Sequence, residues 1–112
     1  MSGAEREFVH LDEVREAARG SGEPWHEFLR FGMFSAGLYR LGAGEQDRQT
    51  PHEEDEIYHV LSGRAELEVA GERHPVEPGS IAFVAKRVEH RFIDIADDLE
   101  VLVLFAPPES GQ

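Results

Sequence analysis

The chain has 112 residues, enough for one domain and too few for two ordinary cores. Hydrophobic residues make up 40% of it and charged residues 30%, the balance of a folded chain rather than a disordered one. A net charge of −12 argues against nucleic acid or anionic membrane as a partner, and the lack of cysteine excludes disulfides, thiolate zinc sites and a thiol nucleophile.

The first residues carry neither the basic start nor the apolar run of a signal peptide. No segment has the apolar length of a bilayer span, so a cytoplasmic setting is expected. In HLDEVREAARG, residues Leu11, Val14 and Ala18 recur three and four apart, which predicts a short helix with Gly20 and Gly22 as stops. Its other face is charged, so residues 1–24 read as an arm lying like a flap on something larger.

From Trp25 the pattern changes to short strand-like runs: 25–31, 35–41, 56–61, 65–70, 73–76, 80–84, 90–95 and 99–106. Turn residues separate them, among them Gly42, Gly44, Ser62-Gly63, Gly71 and Pro78-Gly79. Many short strands with such turns and no helical alternation predict an all-β sandwich or barrel over 25–108. Pro107-Pro108 ends the last strand, leaving 109–112 as a loose tail. The run VLVLFA is apolar at every position and needs cover on both faces. A barrel interior can supply one cover. The other falls to the helix or to a second copy of the chain, and a homodimer is the expectation.

Chemistry concentrates in TPHEEDEIYHVLSG, residues 50–63. If this stretch is extended, His52 and Glu56 share a face with Thr50, Tyr58 and Val60. Glu53, Glu54 and Asp55 read as a charged rim. Glu56 heads an apolar run, where a carboxylate without a partner is costly, and a divalent cation shared with His52 removes that cost. A third ligand must come from elsewhere. His90 is the best candidate, although on the residues alone it is equally a structural histidine. His59 is an odd step from Glu56 and faces away. His10, His26 and His74 have no convergent neighbours. Phe92 shares the inward parity of His90, Arg91 points outward, and Asp94 either orients His90 or caps the strand. Ser62 and Ser80 lack a nucleophile elbow, and no glycine run has the spacing of a phosphate loop.

Two spaced motifs resemble those of the cupin family. Gly44, five residues, Thr50-Pro51-His52, three residues, Glu56, six residues and Gly63 match the first cupin motif with threonine for its first histidine. Gly79, five residues, Ala85-Lys86-Arg87, two residues, His90, three residues and Asp94 keep the spacing of the second motif, with alanine, arginine and aspartate for its proline, glycine and asparagine. The resemblance implies a jelly-roll β-barrel with one divalent transition metal near its mouth, held by His52, Glu56 and His90. The replaced ligand falls on Thr50, a poor donor. The amide oxygen of Gln49 reaches the site if the chain bulges at Pro51. Thr50, Tyr58 and Phe92 would line the substrate pocket.

Two histidines and a carboxylate suit iron(II) and accept manganese, nickel, cobalt or zinc. The implied functions are a metalloenzyme acting on a small oxygen-bearing metabolite, as a dioxygenase or an isomerase-like enzyme, or a non-catalytic small-molecule binder with a degenerate site. Oxygenation would go with iron; isomerisation, decarboxylation or hydrolysis with the others. A storage or structural barrel explains the core but not Glu56.

Overall fold

The computed structural model describes residues 8–110. Helix α1 spans Leu11–Ser21. His10 caps it: its Nδ1 accepts from the Asp12 N–H at 3.0 Å, while the Glu13 carboxylate accepts from the His10 N–H at 3.1 Å. Asp12 and Glu13 put negative charge at the positive end of the helix dipole. The helix runs through Gly20 and stops at Gly22, whose φ of 71° suits glycine. Val14 and Ala18 are buried against Leu38. The helix therefore lies on the outside of a sheet and is no lid over a site. Residues 1–7 of the expected arm lie outside the described residues.

Eight strands follow, and every pairing among them is antiparallel. They are β1 Trp25–Arg30, β2 Ser35–Leu41, β3 Asp55–Ser62, β4 Ala65–Val69, β5 Glu72–Val76, β6 Ile81–Val84, β7 His90–Ile93 and β8 Leu99–Ala106. One sheet has the order β1-β2-β8-β3-β6 and the other β5-β4-β7. The expected all-β jelly roll is present, but as two open sheets packed face to face rather than a closed barrel. No ladder joins the sheets among the described residues.

Strand alternation decides which side chains enter the space between the sheets. On β3, Glu56, Tyr58 and Val60 point in at 2%, 2% and 1% exposure, while Ile57 points out. On β8, Val101, Val103 and Phe105 point in and Leu102 and Leu104 point out. Leu67, Val84 and Phe92 complete the core around Tyr58. The outer face of the large sheet is covered only in part. α1 shields the β2 side, whereas Ile57, Ile81 and Phe83 toward the β6 edge are exposed.

The tail holds on longer than its sequence suggests. Glu109 donates its N–H to Ser35 Oγ at 2.9 Å, and its carbonyl accepts from Arg30 Nη2 at 2.7 Å. A loose tail over 109–112 is therefore corrected at Glu109; residues 111–112 lie outside the described residues.

Candidate metal centre

Glu56 enters the site from β3 and His90 from the start of β7. Both side chains are 1% exposed, and His90 Nε2 lies 2.7 Å from Glu56 Oε1. They sit side by side without the alignment of a hydrogen bond. Glu56 Oε1 and Oε2, His90 Nε2 and His52 Nδ1 are all buried without a hydrogen-bond partner. Native folds rarely leave buried polar atoms so, and four in one place point to a missing common partner. One ligand atom each from His52, Glu56 and His90 lies within 4.8 Å of the others. Two imidazoles and a carboxylate gathered this closely, with donor atoms left without hydrogen bonds, have the chemistry and proximity to converge on one divalent cation.

His52 arrives by a different route from the one its spacing suggests. Residues 42–54 form no strand, and β3 begins only at Asp55. Shared strand parity with Glu56 therefore does not apply to His52. A clasp between two loops holds it instead: the Arg87 N–H donates to the His52 carbonyl at 2.7 Å, and the Lys86 N–H to Asp55 Oδ1 at 2.9 Å. Arg87 Nε adds a contact to Glu53 at 2.9 Å. Arg87 stands where the second motif has glycine and takes a φ of 65°, the left-handed conformation that glycine would adopt freely. His90 Nδ1 donates to the Val88 carbonyl at 2.8 Å, which leaves Nε2 for the site. Asp94 plays no part in orienting His90. It is exposed and lies 3.6 Å from Arg73.

Above these groups is a cavity of about 210 Å³. Trp25, Val103 and Phe105 form apolar walls, and Gln49, His52, Glu56 and Tyr58 supply polar atoms. Of the expected pocket residues only Tyr58 lines it. Thr50 is exposed and borders a separate recess, shared with Gln49 and His90, and the segment that carries it belongs to no strand. Phe92 lies beneath Tyr58 at 5.1 Å between ring centroids and belongs to the core. Glu54, expected on the charged rim, is 3% exposed. Trp25, Tyr39 and Glu109 join the lining without a signal in the sequence motifs.

Asp47 was hidden as well. It is 4% exposed and accepts four hydrogen bonds: from Tyr39 OH at 2.5 Å, Gln49 Nε2 at 2.6 Å, the Phe92 N–H at 2.8 Å and the Gln49 N–H at 3.3 Å. Burial and the Asp47 charge hold the Tyr39 hydroxyl protonated. Burial and the charges of Glu56 and Asp47 do the same for Tyr58. Burial alone would lower the His90 pKa. The adjacent Glu56 carboxylate, the Val88 carbonyl and the Asp47 charge together outweigh it and raise His90 above its ordinary value.

Comparison with known proteins agrees with this fold. Residues 37–106 match the family model described as "Cupin domain", and the chain belongs to that family. It is 45% identical over 100 residues to the uncharacterized protein SCO3923 of Streptomyces coelicolor, covering 89% of this chain and 95% of that one. Among solved structures it is similar to TT1209 from Thermus thermophilus, with a TM-score of 0.72 and 24% identity over 92% of this chain and 99% of the other. An RmlC-like cupin from Shewanella frigidimarina gives a TM-score of 0.74 at 14% identity, with 95% of each chain covered.

Proposed function

We propose that this cupin holds one divalent transition metal through His52, Glu56 and His90 and acts on a small oxygen-bearing metabolite. The observation that carries the reading is the convergence of His52, Glu56 and His90, with four buried donor atoms that make no hydrogen bond, beside the cavity. When bound, the metal would supply a Lewis acid with positions left open for a substrate oxygen. The cavity of about 210 Å³ is small for a ligand pocket, which favours a metabolite of few heavy atoms. Its walls favour one with an apolar portion against Trp25 and Phe105. Tyr58, kept protonated, is a donor rather than a base. Purified protein stripped with chelator and reconstituted is expected to take up close to one manganese, cobalt or nickel ion per chain. Uptake well below one ion would remove the reading.

A binding module without turnover is the second reading. Both tyrosine hydroxyls at the cavity are committed donors, to Asp47 and to Gln49, which leaves them no role as bases. A panel of small hydroxy and oxo acids separates the two. Thermal shifts without product favour the binder, and product formation favours the enzyme.

The pH dependence has opposite signs in the two forms. A raised His90 pKa stabilises the metal-free fold fully below the unfolded value of about 6.5, and this contribution is lost as pH rises through the folded value. Metal binds the neutral imidazole, so affinity grows over the same interval. Melting curves between pH 5.5 and 8.5 should show the gap between loaded and metal-free protein widening with pH. A gap that narrows would contradict the assignment of His90.

We also propose that a second copy of this chain covers the outer face at the β6 edge. Ile57 pairs with both Phe83 and Leu104 there, and His59 with both Ile81 and Leu102, so six neighbouring positions carry no carboxylate in a chain of net charge −12. Two such faces can meet without bringing acidic groups together. Light scattering after size exclusion should give twice the 12.6 kDa chain mass, and Phe83→Glu should return it to the monomer value. A monomeric parent protein would end this proposal.

A further inference from the structure

The two imidazoles of the centre are held by opposite nitrogens. His90 Nδ1 donates to the Val88 carbonyl at 2.8 Å, and Nε2 is the buried atom without a hydrogen bond. At His52 the order is reversed. Nε2 meets Gln49 Oε1 at 3.3 Å, and Nδ1 is the buried atom without a hydrogen bond. A neutral imidazole carries one proton, so the partner of one nitrogen decides whether the other keeps its lone pair.

Asp47 decides it at His52. Both of its oxygens accept from backbone N–H groups, Oδ1 from Gln49 at 3.3 Å and Oδ2 from Phe92 at 2.8 Å. Oδ2 also lies 2.6 Å from Gln49 Nε2. A reversed amide would set its carbonyl oxygen against that carboxylate, two acceptors with no proton between them. The Gln49 side chain therefore has one sense, with Oε1 turned to Tyr58 and His52. Its two lone pairs accept the Tyr58 hydroxyl at 3.2 Å and the His52 ring N–H. Facing an acceptor, His52 Nε2 must carry the proton, and Nδ1 keeps the lone pair. The rest of the residue is fixed too. The Arg87 N–H holds its carbonyl, and the Phe105 ring meets its ring edge-on at 5.1 Å between centroids.

We infer that Gln49 is a positioning residue that holds His52 in the Nε2–H form and so makes Nδ1 its metal-binding atom, with Asp47 fixing the sense of the amide. The inference rests on the metal reading above. Gln49 acts through His52, from the side of the ring away from the ion. The centre then draws on Nδ1 of one histidine and Nε2 of the other, and the buried Asp47 network has a task there.

The test reads the tautomer directly, in long-range proton–nitrogen correlation spectra of the metal-free full chain at a pH where imidazole is neutral. The parent should show His52 protonated on Nε2. Gln49→Met, which keeps the bulk of the side chain and removes the acceptor, should lose that preference. Asp47→Asn should lose it in part, because an asparagine amide can donate to a reversed Gln49. An unchanged tautomer there would remove Asp47 from the assignment. A Gln49 with a purely structural role would lower the melting temperature of Gln49→Met and leave the tautomer as in the parent, which overturns the inference. So does a parent with the proton on Nδ1, a result that needs no variant to fold. Cobalt(II) titration calorimetry supplies the second readout: one ion per parent chain, with affinity reduced about tenfold to a hundredfold by Gln49→Met. Parental affinity in that variant would end the positioning role. A cobalt-edge anomalous map should place the ion against Nδ1 of His52 and Nε2 of His90. An ion against Nε2 of His52 refutes the inference and leaves the metal reading standing. A parent that shows the Nε2–H form and binds no cobalt removes the metal reading itself, and the role of Nδ1 with it.

Discussion

Glu56→Gln is expected to strip the centre of its metal while leaving the fold intact. The substitution conserves volume at a side chain 1% exposed and removes the only anionic donor among the three convergent residues. Changes to groups that merely orient a ligand cost about tenfold to a hundredfold in metal affinity, so loss of a carboxylate ligand should exceed a hundredfold. His90→Ala should do the same, with a further penalty from the cavity it leaves in the core. The metal also supplies a stability readout. A ligand at a hundred times its dissociation constant stabilises the native state by about 2.7 kcal/mol, which in a domain of this size raises the melting temperature by on the order of 10 °C. The parent should show that rise with manganese or cobalt, and Glu56→Gln should show none. A variant that keeps one ion per chain at parental affinity would mean that these residues meet for some other reason. In the metal-free state the sign depends on pH. Below the folded pKa of His90 the variant loses the carboxylate that stabilises the protonated imidazole and should melt lower than the parent, whereas above it the variant loses only a buried charge and should melt no lower.

The parts of this site that were legible in the sequence are those set by a local rule. Glu56 and Tyr58 face inward and Ile57 outward because a strand alternates, and that alternation needs only the chain itself. His90 was legible as the first residue of an inward-facing pair with Phe92 for the same reason. The two cupin spacings added the partnership between distant segments, which alternation cannot give.

His52 comes near Glu56 and His90 for a reason that strand parity does not contain. Its backbone is pinned by Arg87, thirty-five positions along the chain, and a loop held by one long-range hydrogen bond leaves no periodic trace. Thr50 failed as a pocket residue on the same account: the parity argument needed a strand that begins only at Asp55. Asp47 reads as one more acid in a solvated turn, GAGEQDRQ. Its burial follows from donors on β2 and β7 that only the assembled sheets bring together. Glu109 is similar, tied by Ser35 and Arg30 from the far end of the domain. The open edges have an equally non-local cause, since closure depends on whether the outermost strands come within ladder distance, and here they do not.

Gly63, the glycine that closes the first motif, should tolerate a single methyl group poorly. Its φ is 91°, and a Cβ built there would lie 2.7 Å from Leu99 Cα, 2.9 Å from the Asp98 carbonyl carbon and closer still to the Asp98 carbonyl oxygen. All three are backbone atoms, so no side chain can swing aside. The contact joins the β3–β4 turn to the start of β8, and β8 pairs with the strand that carries Glu56. Left-handed strain costs about 1–3 kcal/mol for a non-glycine residue, and forced overpacking about as much again. Gly63→Ala is therefore expected to destabilise the fold by about 3 kcal/mol or more, a drop in melting temperature of more than about 10 °C. Gly71 provides the control. Its φ is 85°, but nothing lies within 4 Å of a Cβ there, so Gly71→Ala carries the strain without the collision and should cost about 1 kcal/mol. Chemical denaturation of the two variants side by side separates the causes. Equal losses would show that backbone angle alone makes Gly63 necessary, and the packing of this turn against β8 would then have no part in holding the strand that carries Glu56.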